Sequence, residues 1–365
     1  MANRTINIAI LGCGRVGFHH EKMVRDNPSI KAVGVCDLLE DKARELAAAF
    51  KCKAYTNYHE MFAKEKIDLI TVATPTGAHY DHVKDILTRY KVSILLEKPM
   101  VLKVSQGQEL KKMADEKGVK IFPVYQNRFN KAVQRVKKAI IDGELGKIAL
   151  ATVRVRWCRP QRYYDLAAWR GTYSMDGGAY VNQGIHFIDV LRYLAGEIDE
   201  VNSCFGRLGA NPEAEDTGLS LIKFKNGALG NLEITMAARP DDFEASVSIV
   251  GSKGLAVLGG LCTNELITFS PKPEDQKIYS EEVPMAYGVG HKEVYARVAK
   301  SLIEGDEGPI VFEDGLQTIR LLHALYRSNE DKAWVRLDDN VESYRLGERN
   351  NKLLAPYLIQ VPAVS

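Results

Sequence analysis

The sequence predicts an α/β protein of two domains, a doubly wound parallel sheet followed by an α+β domain on an open, mainly antiparallel sheet. Three observations carry this. The first third of the chain alternates short, continuously apolar runs with helical ones. A glycine-rich turn joins the first of these runs to the first helical segment. From about residue 149 the texture changes to consecutive strands joined by tight turns.

The apolar runs at residues 7–11, 31–36, 69–72, 93–96 and 120–124 do not alternate with polar residues, which predicts strands buried on both faces. Between them, residues 18–25, 40–50, 79–89 and 105–117 carry helical spacing. A helix over 132–142 then leads into strands at 149–157, 201–208, 219–224, 228–235, 246–250 and 255–258. Asn226-Gly227 and Ser252-Lys253-Gly254 read as hairpin turns between them. Further helices are expected at 179–194, 291–303 and 312–327. The expected division is 1–125, 126–338 and a C-terminal arm, 339–365.

At 365 residues and a formal charge of +2, with 45% hydrophobic and 26% charged residues, the chain is long enough for two ordinary cores. No basic block suits a phosphate backbone, so a nucleic-acid partner is not expected. No apolar run approaches a bilayer span, and the N-terminus runs straight into a strand, so the expected location is the cytoplasm with no membrane contact. The six cysteines, the nearest pair being Cys36 and Cys52, lack zinc or redox spacing, and no metal is expected.

Gly12-Cys13-Gly14-Arg15-Val16-Gly17 follows the first strand and opens the first helix, the order a Rossmann dinucleotide site requires. Such glycines let backbone N–H groups reach a pyrophosphate at a helix N-terminus. Asp37 closes the second strand, where its carboxylate accepts from adenosine ribose hydroxyls and repels the extra phosphate of NADP, so NAD is the expected cofactor. Two further strands end in Thr74-Pro75-Thr76-Gly77-Ala78-His79 and Glu97-Lys98-Pro99, placing these groups at the carboxyl edge of the sheet. A lysine at that edge is either a solvated strand-end residue or an acid–base group.

In the second domain, Asn182, His186 and Asp189 stand at i, i+4 and i+7 of an otherwise apolar helix preceded by Gly177-Gly178. A polar stripe of this kind on a buried helix is costly unless it is used. Upstream, Arg154, Arg156, Arg159, Arg162 and Arg170 are interleaved with Trp157, Tyr163, Tyr164 and Trp169. That mixture suits either a flat anionic ligand or an oligomer interface. A homo-oligomer, expected to be a tetramer, follows from an open sheet with one uncovered apolar face, for which Leu232, Ile234 and Met236 are candidates.

Together these motifs resemble the Gfo/Idh/MocA oxidoreductases over about residues 5–330. Within that family, Arg159-Pro160-Gln161, Tyr163-Tyr164-Asp165, Trp169-Arg170-Gly171-Thr172 and Asn182-Gln183 with His186 resemble the WlbA-type UDP-N-acetyl-2-amino-2-deoxyglucuronate dehydrogenases. The resemblance implies Lys98 and His186 as catalytic groups. It implies an NAD site of Gly12, Cys13, Gly14, Arg15, Val16, Asp37, Thr74, Pro75, Thr76, His79, Glu97, Lys98, Gln126, Trp169 and Arg170. For the substrate, a UDP-sugar acid, it implies Lys98, Arg159, Gln161, Tyr163, Tyr164, Asn182, Gln183 and His186. Polyol-oxidising relatives carry Asp where this chain has Asn182, and a neutral amide is no base. The expected reaction is therefore NAD-dependent oxidation of the sugar's 3-hydroxyl in a surface-polysaccharide (lipopolysaccharide) pathway. The alternatives are a free-sugar or polyol dehydrogenase, an NAD-dependent glycosidase and an NAD sensor on the same fold.

Overall fold

The computed structural model describes residues 4–283, 285–337 and 341–359. The chain divides into two compact units. One comprises the chain up to Val124, His291–Leu316 and the segment from Arg349 on; the other comprises Tyr125–Gly290 and Gln317–Glu348.

The first unit runs β1 (Ile6–Leu11), α1 (Arg15–Val24), β2 (Ile30–Cys36), α2 (Glu40–Phe50), β3 (Lys53–Tyr55), α3 (Tyr58–Lys64), β4 (Leu69–Val72), α4 (Thr76–Arg89), β5 (Ser93–Leu96), α5 (Val104–Lys117) and β6 (Ile121–Pro123). Its six-stranded sheet has the order β3-β2-β1-β4-β5-β6, every pair parallel. β1 therefore lies between β2 and β4, and the strand order reverses there, so a crevice opens at the carboxyl ends of β1 and β4. Residues 69–72 and 93–96 are wholly buried, as continuous apolar strands between helical layers must be.

The second unit contributes α6 (Lys131–Ile141), β7 (Ile148–Arg156), α7 (Gln161–Tyr164), α8 (Ile185–Ala195), β8 (Ile198–Gly206), β9 (Thr217–Phe224), β10 (Leu229–Thr235), β11 (Glu244–Gly251), β12 (Leu255–Gly259), β13 (Glu265–Phe269) and α9 (Asp275–Tyr279). α10 (Gly290–Glu304), α11 (Phe312–Asp331), β14 (Val335–Arg336) and α12 (Asn351–Leu354) complete the chain. The eight-stranded sheet has the order β13-β12-β11-β7-β10-β9-β8-β14. All its pairs are antiparallel except β7 with β10.

The division is not the expected run of consecutive segments. His291–Leu316 returns to the first unit. There Tyr295 Oη lies 2.9 Å from Thr71 Oγ1, and Leu316 packs so closely on Gly107 that a Cβ there would lie 2.5 Å from Leu316 Cδ1. The far C-terminal segment joins the same unit: Arg349 pairs with Asp81, and His82 Nε2 lies 3.0 Å from Tyr357 O.

The exposed apolar face is also not the expected one. Leu232, Ile234 and Met236 are fully buried, because their side of the sheet packs against α8. Gly184 lets the helical turn before α8 approach Ile234; a Cβ there would sit 2.8 Å from its Cδ1. The opposite face carries exposed Leu150, Leu219, Leu221 and Leu229, with Leu229 paired in register to Leu150. Arg154 and Arg156 lie on that face too, ion-paired to Glu233. Their place in the expected ligand-binding arginine group therefore falls away.

Candidate active site

In the first unit the glycines have separate tasks. Gly12 has φ of +104°, and a Cβ there would lie 2.5 Å from Ala73 O, so neither its conformation nor its space admits a side chain. A Cβ at Gly17 would meet Gly12 O at 2.7 Å, so this position sets helix-to-turn packing. Gly14, the residue before α1, faces open space. The Asp37 carboxylate accepts from Cys13 N at 2.8 Å and Leu39 N at 2.9 Å, bracing the turn. A carboxylate has about four lone-pair sites, so Asp37 retains acceptor capacity for ribose hydroxyls. This donor-rich turn with an adjacent carboxylate fits NAD. Cys13 contributes its backbone; its thiol lies in a core with Ile10, Val35 and Leu46, and burial raises its pKa. Arg15 is exposed and Val16 half-buried.

Thr74, Pro75 and Thr76 line the start of α4 and are half-exposed. His79 is buried behind them, its Nδ1 2.9 Å from Pro99 O and its Nε2 2.8 Å from Thr74 O. Burial lowers its pKa against the pull of those two carbonyls. It clamps the two strand-end loops together. Glu97 likewise points inward: Oε1 lies 3.0 Å from His20 Nε2 and 3.1 Å from His291 Nε2, and Oε2 accepts from Lys98 N. Those imidazoles hold its pKa well below the usual range despite the burial that raises it. His20 Nδ1 continues to Tyr295 Oη at 3.1 Å, and His291 Nδ1 to His19 Nε2 at 3.2 Å. His20, Glu97 and His291 are also the group, among the described residues, whose ligand atoms approach closely enough to hold a metal ion. Sequence spacing gave no sign of it, because the three residues come from three distant segments. Within residues 92–102 only Lys98 is not buried.

In the second unit the run 179–192 is buried except at Asn182 and His186, four residues apart. The segment begins as a π-helical turn, Tyr180–Gly184, before α8. Asp189 does not share the outward side. It is buried, with its oxygens 2.7 Å from Arg128 Nε and Nη2 and Oδ1 2.7 Å from Thr318 Oγ1. The three-residue polar stripe thus reduces to a pair plus a structural carboxylate. Asn182 Nδ2 donates to Asp176 Oδ1 at 2.6 Å.

Beside this pair stands a guanidinium–aromatic ladder. The Arg159 guanidinium lies 5.0 Å from the Trp157 ring and 5.7 Å from that of Tyr163; that of Arg170 lies 4.5 Å from Tyr163 and 4.7 Å from Trp169. Tyr163 Oη accepts from Arg170 Nη1 at 2.7 Å and from Gln183 Nε2 at 3.1 Å, which ties the ladder to the helical segment of Asn182 and His186. Arg159 also pairs with Asp242. Tyr164 is buried against Tyr163, Gln126 is buried, and exposed Gln161 spends its amide on Asp165 and Asn211 N.

Glu215 is a functional-looking residue that sequence reading missed. It is buried, accepts from Tyr326 Oη at 2.6 Å and Tyr180 N at 3.1 Å, and burial pushes its pKa up to about 7. Gly178 leaves the space its carboxylate fills. The folded protein therefore holds a proton that the unfolded chain releases above its ordinary range near 4.5. Stability contributed this way falls as pH rises from about 4.5 and levels off above about 7. Glu215→Gln keeps the acceptor for Tyr326 and Tyr180 and removes the charge. It is expected to stabilise the protein at pH 8 by about 1–3 kcal/mol and to flatten the pH dependence between 5 and 8, read by urea unfolding.

Comparison with known proteins agrees with this architecture. The family described as "Oxidoreductase family, NAD-binding Rossmann fold" matches residues 6–125, and "Oxidoreductase family, C-terminal alpha/beta domain" matches 137–337. The chain is similar to the WlbA dehydrogenase of Bordetella pertussis, solved with NADH and UDP-GlcNAcA: 34% identity, TM-score 0.87, covering 93% of this chain and 99% of that one. It is 23% identical to myo-inositol 2-dehydrogenase of Thermotoga maritima over 92% of this chain and 99% of that protein. It is 28% identical to the NAD-dependent scyllo-inositol 2-dehydrogenase of Bacillus subtilis over 73% and 78%. No helix among the described residues is long and apolar enough to cross a membrane. The chain belongs to the Gfo/Idh/MocA family of oxidoreductases, and its first unit is an NAD-binding Rossmann domain.

Proposed function

We propose that this NAD-dependent oxidoreductase oxidises the 3-hydroxyl of a UDP-linked N-acetylated amino sugar acid, UDP-N-acetylglucosaminuronate, to the 3-keto sugar, feeding surface-polysaccharide synthesis in the cytoplasm. The observation that carries the reading is the ladder Trp157–Arg159–Tyr163–Arg170–Trp169, joined through Gln183 to the segment that exposes Asn182 and His186. Guanidinium groups between aromatic rings suit a ligand that is both anionic and flat, as a diphosphate-linked uridine sugar is. The likeness to the Bordetella enzyme, with its bound NADH and UDP-GlcNAcA, supports the same substrate class. Bound NAD supplies the hydride acceptor. The chain supplies orientation and proton handling, with His186 taking the hydroxyl proton and Lys98 polarising or relaying. Asn182 accepts or donates a hydrogen bond without titrating.

The inositol dehydrogenases among the relatives favour a second reading, oxidation of a free polyol. NADH formation on adding UDP-N-acetylglucosaminuronate, with none from free inositols or sugars, supports the first reading; the reverse pattern overturns it. A homotetramer is part of the proposal, with the Leu150, Leu219, Leu221 and Leu229 face covered by a second copy. Light scattering should give about four chain masses at micromolar concentration, and Leu221→Lys with Leu229→Lys should lower it. A mass of one chain for the unaltered protein rules the tetramer out.

A further inference from the structure

We infer that the C-terminal segment is a positioning element of the NAD site: the Tyr357 carbonyl, acting through His82, fixes the Thr74 hydroxyl as a hydrogen-bond acceptor for the cofactor. The inference rests on the placement of Thr74 at that site. Thr74 follows β4 at the carboxyl edge of the parallel sheet and is half-exposed. Its carbonyl and its hydroxyl both meet α4, the next helix. His79 and His82 stand one turn apart on that helix, and both are buried. His79 Nε2 lies 2.8 Å from the Thr74 carbonyl oxygen, and His82 Nδ1 lies 3.1 Å from Thr74 Oγ1. The other ring nitrogen of His82, Nε2, lies 3.0 Å from Tyr357 O. The segment that supplies this carbonyl is fastened to α4 and closed on itself. Arg349 Nη1 donates to both oxygens of Asp81 at 3.0 Å, Asn350 caps α12 by accepting from Lys352 N and Leu353 N, and Leu354 is buried.

These contacts dictate where the protons sit. A backbone carbonyl only accepts, so the His82 ring carries its hydrogen on Nε2. Burial keeps the ring neutral by pushing its pKa down to about 4, and Nδ1 of a neutral imidazole with Nε2–H is an acceptor. Thr74 therefore donates its hydroxyl hydrogen to Nδ1, and its oxygen keeps lone pairs for an incoming donor. Tyr58 holds the ring from the side: the two rings meet edge to face with centroids 6.0 Å apart, and Tyr58 Oη donates to Asp85 at 2.8 Å. NAD carries donor hydrogens on its ribose hydroxyls and its carboxamide, which an acceptor of fixed polarity selects. Without the Tyr357 carbonyl either tautomer of His82 serves, and Thr74 is as ready to present a hydrogen as a lone pair.

The test is a double-mutant cycle read by NAD affinity in calorimetry, with urea unfolding measured beside it. Thr74→Val, which removes the hydroxyl, is expected to weaken NAD binding at least about threefold. His82→Leu should weaken it by a similar factor, and the double variant should bind no more weakly than Thr74→Val alone. His82→Gln should restore most of the affinity, because its amide both donates to Tyr357 O and accepts from Thr74. Releasing the C-terminal segment in the whole chain with Arg349→Glu and Leu354→Ser should reproduce the His82→Leu loss and add nothing in the Thr74→Val background. A role in packing alone lowers unfolding stability without making the effect on NAD depend on Thr74. Additive losses of affinity, or unchanged affinity in the His82 and Arg349/Leu354 variants, overturn the inference. If His82→Leu does not fold, the Arg349→Glu, Leu354→Ser chain decides on the same criterion. Nitrogen NMR of the His82 ring, measured without NAD at pH 7.5, is a second readout: the Nε2–H tautomer supports the inference and the Nδ1–H tautomer overturns it. Should Thr74→Val bind NAD as tightly as the unaltered protein, the placement of Thr74 at the cofactor falls and the inference with it, whatever tautomer His82 holds.

Discussion

His186→Asn is expected to lower turnover by at least about 10²-fold and to leave NAD affinity near that of the unaltered protein. The size of the expected loss follows from the base role proposed for His186, since a positioned base contributes roughly 10²–10⁴-fold to a proton-transfer step. A loss of 10²-fold corresponds to about 2.7 kcal/mol of transition-state stabilisation. Asparagine keeps the volume and part of the hydrogen bonding but cannot titrate. His186 is half-exposed where its helical neighbours Ile185, Phe187 and Ile188 are buried, so the change leaves their apolar packing in place. NAD affinity is spared because the glycine turn and Asp37 are braced within the first unit by Cys13 N and Leu39 N. The measurement is kcat with the sugar nucleotide acid, alongside NAD binding by fluorescence or calorimetry. Wild-type turnover in the variant would make His186 structural and leave Lys98 as the base. If the variant failed to fold, Asn182→Ala would be the better probe of this face.

The strands of the parallel sheet were legible because a strand covered on both faces is continuously apolar, and residues 69–72 and 93–96 carry no competing signal. β3 and α3 were not: three residues on a sheet edge and one short helix give too little pattern, and Asn57, which caps α3 by accepting from His59 N, reads equally as a loop residue. Residues 291–303 were legible as a helix, but helical spacing says nothing about which core receives it. The apolar alternation of β10 was visible, whereas the face covered by α8 depends on packing between segments far apart in sequence. The polar stripe Asn182–His186–Asp189 assumed regular helical geometry; the π-helical turn precedes α8, and Asp189 is taken up by Arg128 and Thr318. Asp176 and Glu215 carried no spacing signal, since their partners are a loop N–H, an amide and a distant tyrosine. The glycine turn, Asp37 and Lys98 were legible because strand, turn and helix fix their place at the sheet edge.

Lys98→Met is expected to cost about as much turnover as the His186 change, on the order of 10²-fold, for a different reason. Methionine keeps a flexible apolar stem of similar reach and removes the ammonium, so the loss reports charge and proton relay rather than packing. The loop is also anchored through its backbone and its neighbour: Glu97 Oε2 accepts from the Lys98 backbone N–H, and Oε1 lies against His20 and His291. NAD affinity should fall modestly if the ammonium also meets the ribose. Lys98→Arg separates the two roles, because guanidinium stays protonated at any working pH. A relay role requires Lys98→Arg to remain as impaired as Lys98→Met; recovery of most turnover by arginine would assign Lys98 a purely electrostatic part. Full activity in Lys98→Met would remove the residue from the reaction and leave proton handling to His186 alone. The discriminating data are kcat, kcat/KM and their pH profiles for the three proteins, measured with the same sugar nucleotide acid.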